Sequence, residues 1–363
     1  MSRPPLVPVW DLPIRLFHWS LVASIGLSAA TGFLGGAEAI RWHIGGGLAA
    51  LALVIARIVW GFTGPTHARF RDFLPSPAAV LGHLRSAAPR HLGHNPLGAL
   101  MVLALIGSIL LIGLSGLILL GGLFKTGPLA FWSFEAGRAW HMLHEVAAWA
   151  VFGLVALHLG GIAFESRRSR ENLARAMLTG SKEARPGDHP AEEIPARGPL
   201  ALVLLLLVGS GLWAASSALS ARPPQGMPVA FDATTRDECS ACHMAYHPSL
   251  LPAASWRMLM AGLADHFGED ARLDPATAAE IEAWLIGHAA ETADTLPAHA
   301  FAETAPGAPF TLTETPGWKR LHGGLPDRLF RQPSVRSPAT CTACHADAES
   351  GLFSPFSIHL PKE

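Results

Sequence analysis

Charge is scarce in this sequence: Asp, Glu, Lys and Arg together make up 15% of 363 residues, the formal net charge is −1, and tyrosine occurs once. So little charge excludes an ordinary soluble domain, and near-neutrality leaves no electrostatic footprint for a nucleic-acid partner. Cysteine is scarce too, with four residues. All four fall in two Cys-x-x-Cys-His pentapeptides, Cys239-Ser-Ala-Cys242-His243 and Cys341-Thr-Ala-Cys344-His345, so none is left for a structural disulfide. Two thiols at this spacing add to the two vinyl groups of one porphyrin, and the adjacent His243 or His345 is placed to ligate the iron from one face. A zinc site would use the same thiols, but the pairs stand about a hundred residues apart, far from zinc-knuckle spacing. A thioredoxin-like pair needs a βαβ setting that neither motif has. The motifs therefore predict two c haems.

Apolar residues, by contrast, make up 50% of the chain and are concentrated. Nearly uncharged runs lie at about 17–36, 43–62, 97–122, 142–164 and 198–220, each close to the roughly twenty residues a helix needs to cross a bilayer. Beyond residue 221 no such run occurs, and Pro and Gly punctuation marks a water-facing domain. The first run reads as a retained span: His18 stands at its entrance, no small-residue cleavage site follows, and further spans do. Arg3 and Arg15 precede it, Arg69, Arg71, Arg85 and Arg90 lie between the second and third runs, and seven basic residues from Arg167 to Arg197 lie between the fourth and fifth. The opposite loops hold only Arg41, Lys125 and Arg138. Positive-inside bias then predicts a multi-pass protein of a bacterial inner membrane, N-terminus in the cytoplasm and C-terminal domain in the periplasm. That is the side on which thiols meet haem.

Ionisable groups inside a span are costly and mark function. His18 lies near the inner end of span one, His43 near the outer end of span two, and His144 and His158 in span four, with His141 a competitor of His144. From His144 to His158 is fourteen residues, about 40° short of four turns with a rise of about 21 Å, so both rings share a face at opposite depths; His141 points about 100° away. Matching by depth gives two bis-histidine b haems, His43 with His144 outside and His18 with His158 inside. Single histidines of this kind also serve as hydrogen-bonded glue between helices.

These residues carry a family resemblance. Val9-Trp-Asp-Leu-Pro-Ile-Arg-Leu-Phe-His18-Trp, Arg41-Trp-His43-Ile-Gly-Gly, Ala56-Arg-Ile-Val-Trp-Gly-Phe62 and Leu143-His144-Glu with His158 fourteen residues on resemble the prokaryotic cytochrome b561 family, including hydrogenase-type b subunits. The likeness spans about residues 7–180 and implies a four-helix bundle with two b haems on the same four histidines, exchanging electrons with membrane quinone. No motif marks a quinone site; Arg15, His67 and Arg69 read as solvated or lipid-facing polar groups.

In the last third, a sixth ligand for each c haem is available from His247, His266, His288, His299, His322 and His359 or Met227, Met244, Met258 and Met260. Met244 directly follows His243 and cannot reach the opposite face. His266 closes a segment that reads as a helix with a glycine stop. Leu250-Leu-Pro-Ala-Ala-Ser-Trp, Asp265-His266-Phe-Gly, Leu273-Asp-Pro-Ala-Thr, Arg320-Leu-His322 and Ser337-Pro-Ala-Thr-Cys341-Thr-Ala-Cys344-His345 resemble the dihaem cytochrome c family, whose members partner an oxygen-binding haem protein. By that resemblance His266 and His322 are the distal ligands. Sequence proximity favours His266 with the first motif and His322 with the second, without deciding it.

The expected architecture is mainly α: a transmembrane four-helix haem b bundle over residues 1–180, a cytoplasmic linker over 181–197 with Pro186, Pro190 and Pro195, a fifth transmembrane helix over 198–220, and a mostly helical, loop-rich dihaem c domain over 221–363. Residues 289–317, rich in Ala, Thr and Pro, read as a loop wrapping that domain. The expected function is electron transfer of quinol:cytochrome c oxidoreductase type, from the membrane quinone pool through two b and two c haems to a periplasmic redox protein, an oxygen-binding or other c-type cytochrome. Two other readings stay open: input from a periplasmic dehydrogenase into the quinone pool, and a terminal enzyme or gas sensor with an open position on one c haem.

Overall fold

The fold is described from a computed structural model covering residues 5–85, 90–186, 188 and 193–361, so Arg3 and Pro190 of the sequence argument lie outside the described residues. It is mainly helical. In chain order the first elements are β1 (Leu6–Pro8), α1 (Leu12–Phe33), α2 (Ile40–Thr63), the short α3 (Phe70–Phe73) and α4 (Pro77–Arg85), and α5 (Pro96–Phe124). They are followed by α6 (Phe134–Ser169), α7 (Leu173–Thr179), β2 (Ser181–Glu183) and α8 (Gly198–Ser220). Helices α1, α2, α5, α6 and α8 are long and apolar enough to cross a membrane. With 36 residues, α6 rises about 54 Å, well beyond a hydrocarbon core of about 30 Å.

The first span begins earlier than its apolar run. Asp11 caps α1 by accepting from Ile14 N at 3.0 Å, with Pro13 in the first turn; such a cap contributes about 1 kcal/mol. An apolar window starting at 17 misses this turn because it carries Arg15.

By contacts the chain forms two compact units, residues 1–34, 42–117 and 140–218 in one, and 35–41, 118–139 and 219–363 in the other. In the first unit Ala50, Val54 and Ile109 are buried against Phe17, Leu21 and Ile25. Large apolar side chains such as Trp149, Leu157, Leu206 and Trp213 face outward, which suits lipid as the surrounding solvent. The described residues of the stretch 181–197, expected as a linker, make several hydrogen bonds to the rest of the first unit. Its first residues pair antiparallel with β1, Arg185 donates to the carbonyls of Ser169 and Arg170, and Arg197 N donates to Thr63 O at 2.8 Å. Arg15 donates to Leu178 O and Arg69 to Pro195 O, so these two arginines are structural clips rather than solvated or lipid-facing groups.

The second unit is built on α9 (Ala233–Cys239), α10 (Ala253–Ala261), α11 (Pro275–Gly287), α12 (Leu296–Phe301), α13 (Pro316–His322) and α14 (Asp327–Phe330). Asp232, Asp274, Thr295 and Thr315 cap four of these helices through their side chains. Its core packs Leu251, Trp256, Ile281, Leu285 and Ala289. Residues 289–317 are not one wrapping loop: α12 and short helical turns at Ala290–Thr292 and Leu312–Glu314 break them up. The buried Thr295 and Thr315 supply the caps that a composition argument overlooks.

Candidate functional site

Within the first unit, the rings of His43 on α2 and His144 on α6 lie 6.1 Å apart between centroids, and those of His18 on α1 and His158 on α6 lie 6.4 Å apart. Two imidazoles bound to opposite faces of one metal at about 2 Å each have centroids about 6 Å apart, so both pairs suit a bis-histidine iron. The ring orientation agrees. His43 Nδ1 donates to Ser28 O at 2.9 Å. His144 Nδ1 lies 3.0 Å from Ser115 Oγ, whose hydroxyl donates to Ile112 O and leaves its oxygen free to accept. Occupying Nδ1 presents Nε2 to a metal, the usual way in which neighbours fix a ligating histidine. Small residues make room: a Cβ on Gly32 would stand 2.8 Å from His43 Nδ1, and one on Gly116 3.2 Å from His144 Cε1. His141 is exposed and does not join the pair.

In the second unit the same spacing recurs. His243 and His266 have centroids 6.1 Å apart, as do His345 and His322. His243 Nδ1 donates to Met244 O at 2.7 Å and His322 Nδ1 to Trp318 O at 3.1 Å. Of the other candidate histidines, His247 is buried with both nitrogens bonded, to Ser249 Oγ and Val229 O, and His299 Nε2 bonds Asp294; His288 has Trp284, not a proximal histidine, as its ring neighbour, and His359 is exposed. His266 does not sit on a helix, as its sequence had implied. After α10 a single helical turn, Leu263–Asp265, leads into a tight turn in which His266 N donates to Glu269 O at 2.8 Å, with Phe267 and Gly268 at positive φ. His322 is the last residue of α13 and stacks on Trp318.

Burial dominates the electrostatics here. It pushes the Cys341 thiol up to about 11, with Cys344 reinforcing it, and raises Cys239 and Cys344 as well. Burial likewise holds His266, His322 and His345 below the ordinary histidine value, favouring the neutral ring that binds iron.

Sequence reasoning missed two supports. Tyr246, the single tyrosine, lies beside His243 with ring centroids 5.3 Å apart and donates to Ala339 O at 2.7 Å, two residues before Cys341, so it ties the two motifs together. Lys125, almost fully buried, donates to Asp294 at 2.9 Å, and the same carboxylate accepts from Phe134 N and His299 Nε2. Only rarity signalled the first; nothing in the sequence signalled the second.

Four imidazole pairs and two thiol pairs on this helical frame fit a membrane cytochrome of mixed type. Residues 9–180 match the family profile of prokaryotic cytochrome b561 and residues 235–353 that of dihaem cytochrome c. A probable Ni/Fe-hydrogenase B-type cytochrome subunit of Azotobacter chroococcum is 28% identical over 209 residues, 48% of this chain and 87% of that protein. The diheme cytochrome c of Rhodobacter sphaeroides is 44% identical, covering 34% of this chain and 98% of that one with a TM-score of 0.30. That of Shewanella baltica is 35% identical, covering 37% and 95% with a TM-score of 0.30. The chain thus carries a segment that matches the prokaryotic cytochrome b561 family, followed by one that matches the dihaem cytochrome c family. It is a membrane electron-transfer protein of haem b and haem c.

Proposed function

We propose that the chain carries electrons from membrane quinol to a periplasmic redox protein, an oxygen-binding or other c-type cytochrome. His43 with His144 hold an outer b haem, His18 with His158 an inner one. Cys239, Cys242 and His243 hold the first c haem with His266 as distal ligand; Cys341, Cys344 and His345 hold the second with His322. The observation that carries this is the common spacing of the four ring pairs, 6.1 to 6.4 Å. When bound, haem supplies a reversible one-electron iron couple. Two imidazoles at each iron would leave no position for a small substrate, which favours transfer over catalysis. Cytoplasmic placement of the N-terminus and periplasmic placement of residues 221–363 rest on the basic-residue bias.

The test is a pyridine haemochrome spectrum of the purified protein followed by reduction with a quinol. Equal b and c haem, with c-haem reduction by quinol and no carbon monoxide binding to the reduced protein, is expected. A c-only spectrum overturns the membrane half, and carbon monoxide binding favours the enzyme or sensor reading. The relatives named as hydrogenase subunits favour a second direction, electron input from a periplasmic dehydrogenase to quinone. Oxidation of prereduced c haems by added quinone, without the reverse reaction, is the outcome that selects it.

A further inference from the structure

Arg57 is the most deeply buried arginine of α2 and lies inside a membrane-spanning helix, 4% exposed. Its guanidinium stands over the rings of Phe70 and Phe73, 5.1 and 5.9 Å from their centroids. Nη1 is buried without a hydrogen-bond partner, and among the described residues no carboxylate lies within ion-pair distance of it. Asp11 is the nearest acidic influence, but its oxygens are engaged with Ile14 N and Trp60 Nε1. A buried cation left this way is expensive and calls for an anion.

Helical register says where that anion is. From His43 to Arg57 is fourteen residues on α2, the same step as from His144 to His158 on α6, so Arg57 lies on the face that carries His43, about 21 Å along the axis. It therefore occupies on α2 the level that His158 occupies on α6. His94 packs between Trp10 and Phe73, and Phe73 also lies under the Arg57 guanidinium. We infer that Arg57 binds a propionate carboxylate of the haem held by His18 and His158, neutralising it inside the membrane. A lipid phosphate is excluded by the burial of the guanidinium. A quinone carbonyl supplies a hydrogen-bond acceptor but no charge, so it leaves the cation uncompensated.

The inference rests on the proposed ligation by His18 and His158, and the experiment separates the two. Full-length protein is made as Arg57→Gln, Arg57→Lys and His18→Ala, the b:c haem ratio is measured, and the b haems are titrated potentiometrically. A propionate that loses its counter-charge favours ferric iron. Arg57→Gln is therefore expected to lower the reduced-to-oxidised ratio of one b haem about tenfold at its original midpoint, about 59 mV for one electron, with the other b haem and both c haems unmoved. Arg57→Lys is expected to keep the haem and restore most of the potential; loss of that b haem in Gln with retention in Lys supports the inference equally. It is overturned if both variants keep full haem with unshifted potentials, if a changed quinol KM is the sole effect, or if Lys as well as Gln loses both b haems. A His18→Ala protein with unchanged b-haem content overturns the ligation itself.

Discussion

The two halves place imidazoles at the same separation by different means. In the membrane half, four histidines ride on long regular helices, and two of their rings are steadied by groups from other helices, Ser28 on α1 and Ser115 on α5. In the other half they come from a tight turn, a helix of about two turns and two short motifs, and thiols are available to hold the cofactor as well. Helical period positions ligands where lipid imposes helix on the backbone; irregular chain in water relies on covalent attachment and local caps. The comparison suggests where each half breaks.

The largest effect falls on the histidines. His144→Ala or His18→Ala is expected to remove one b haem outright, since nothing covalent retains it, while His141→Ala leaves both. His322→Ala is expected to keep its c haem on Cys341 and Cys344 but open the iron, read as carbon monoxide binding to the reduced protein. Loss of that c haem would show that the covalent link is not what separates the halves.

Next comes the buried ion pair of the second unit. Asp294→Ala strands Lys125, and breaking such a pair costs about 3 kcal/mol; thermal unfolding followed at the c-haem Soret band is expected to show it, with Asp294→Asn intermediate. Burial alone would raise the Asp294 carboxyl, but Lys125, Phe134 N–H and His299 outweigh it and hold it low. Its contribution is thus present above the unfolded carboxylate value and is lost as pH falls through the lower, folded one.

The smallest effect is on acid tolerance in the membrane half. Burial first, then the charges of Arg57, Lys182 and other neighbours, push His94 down to about 3. A lowered folded value means stability that is complete above about 6.5 and declines as pH falls towards 3. His94→Phe is expected to lose this component, shrinking the drop in unfolding temperature of the b-haem signal between pH 7 and 4. An unchanged drop would mean that His94 is protonated in the folded protein.

What the sequence made legible follows from the same contrast. The step from His144 to His158 can be read because a helix converts spacing into direction, and five apolar runs can be read because length against bilayer thickness is a simple test. His266 on its turn, α12 within 289–317 and the strand formed by Ser181–Glu183 could not be read in this way. Each depends on a partner distant in sequence, such as Leu6–Pro8 for the strand, or on caps whose weight composition does not reveal. Arg57 was readable in principle, since its distance from His43 repeats the step on α6, but only the structure shows that its buried guanidinium lacks an ion-pair partner among the described residues.

Helix α8 carries none of the paired histidines, yet on the proposed route it has a kinetic consequence. By joining the b-type and c-type halves in one chain, it replaces a bimolecular encounter with an intramolecular one, at effective concentrations that short tethers bring to about the millimolar range. On the proposed route, exchange between the halves is expected to be first order and insensitive to dilution.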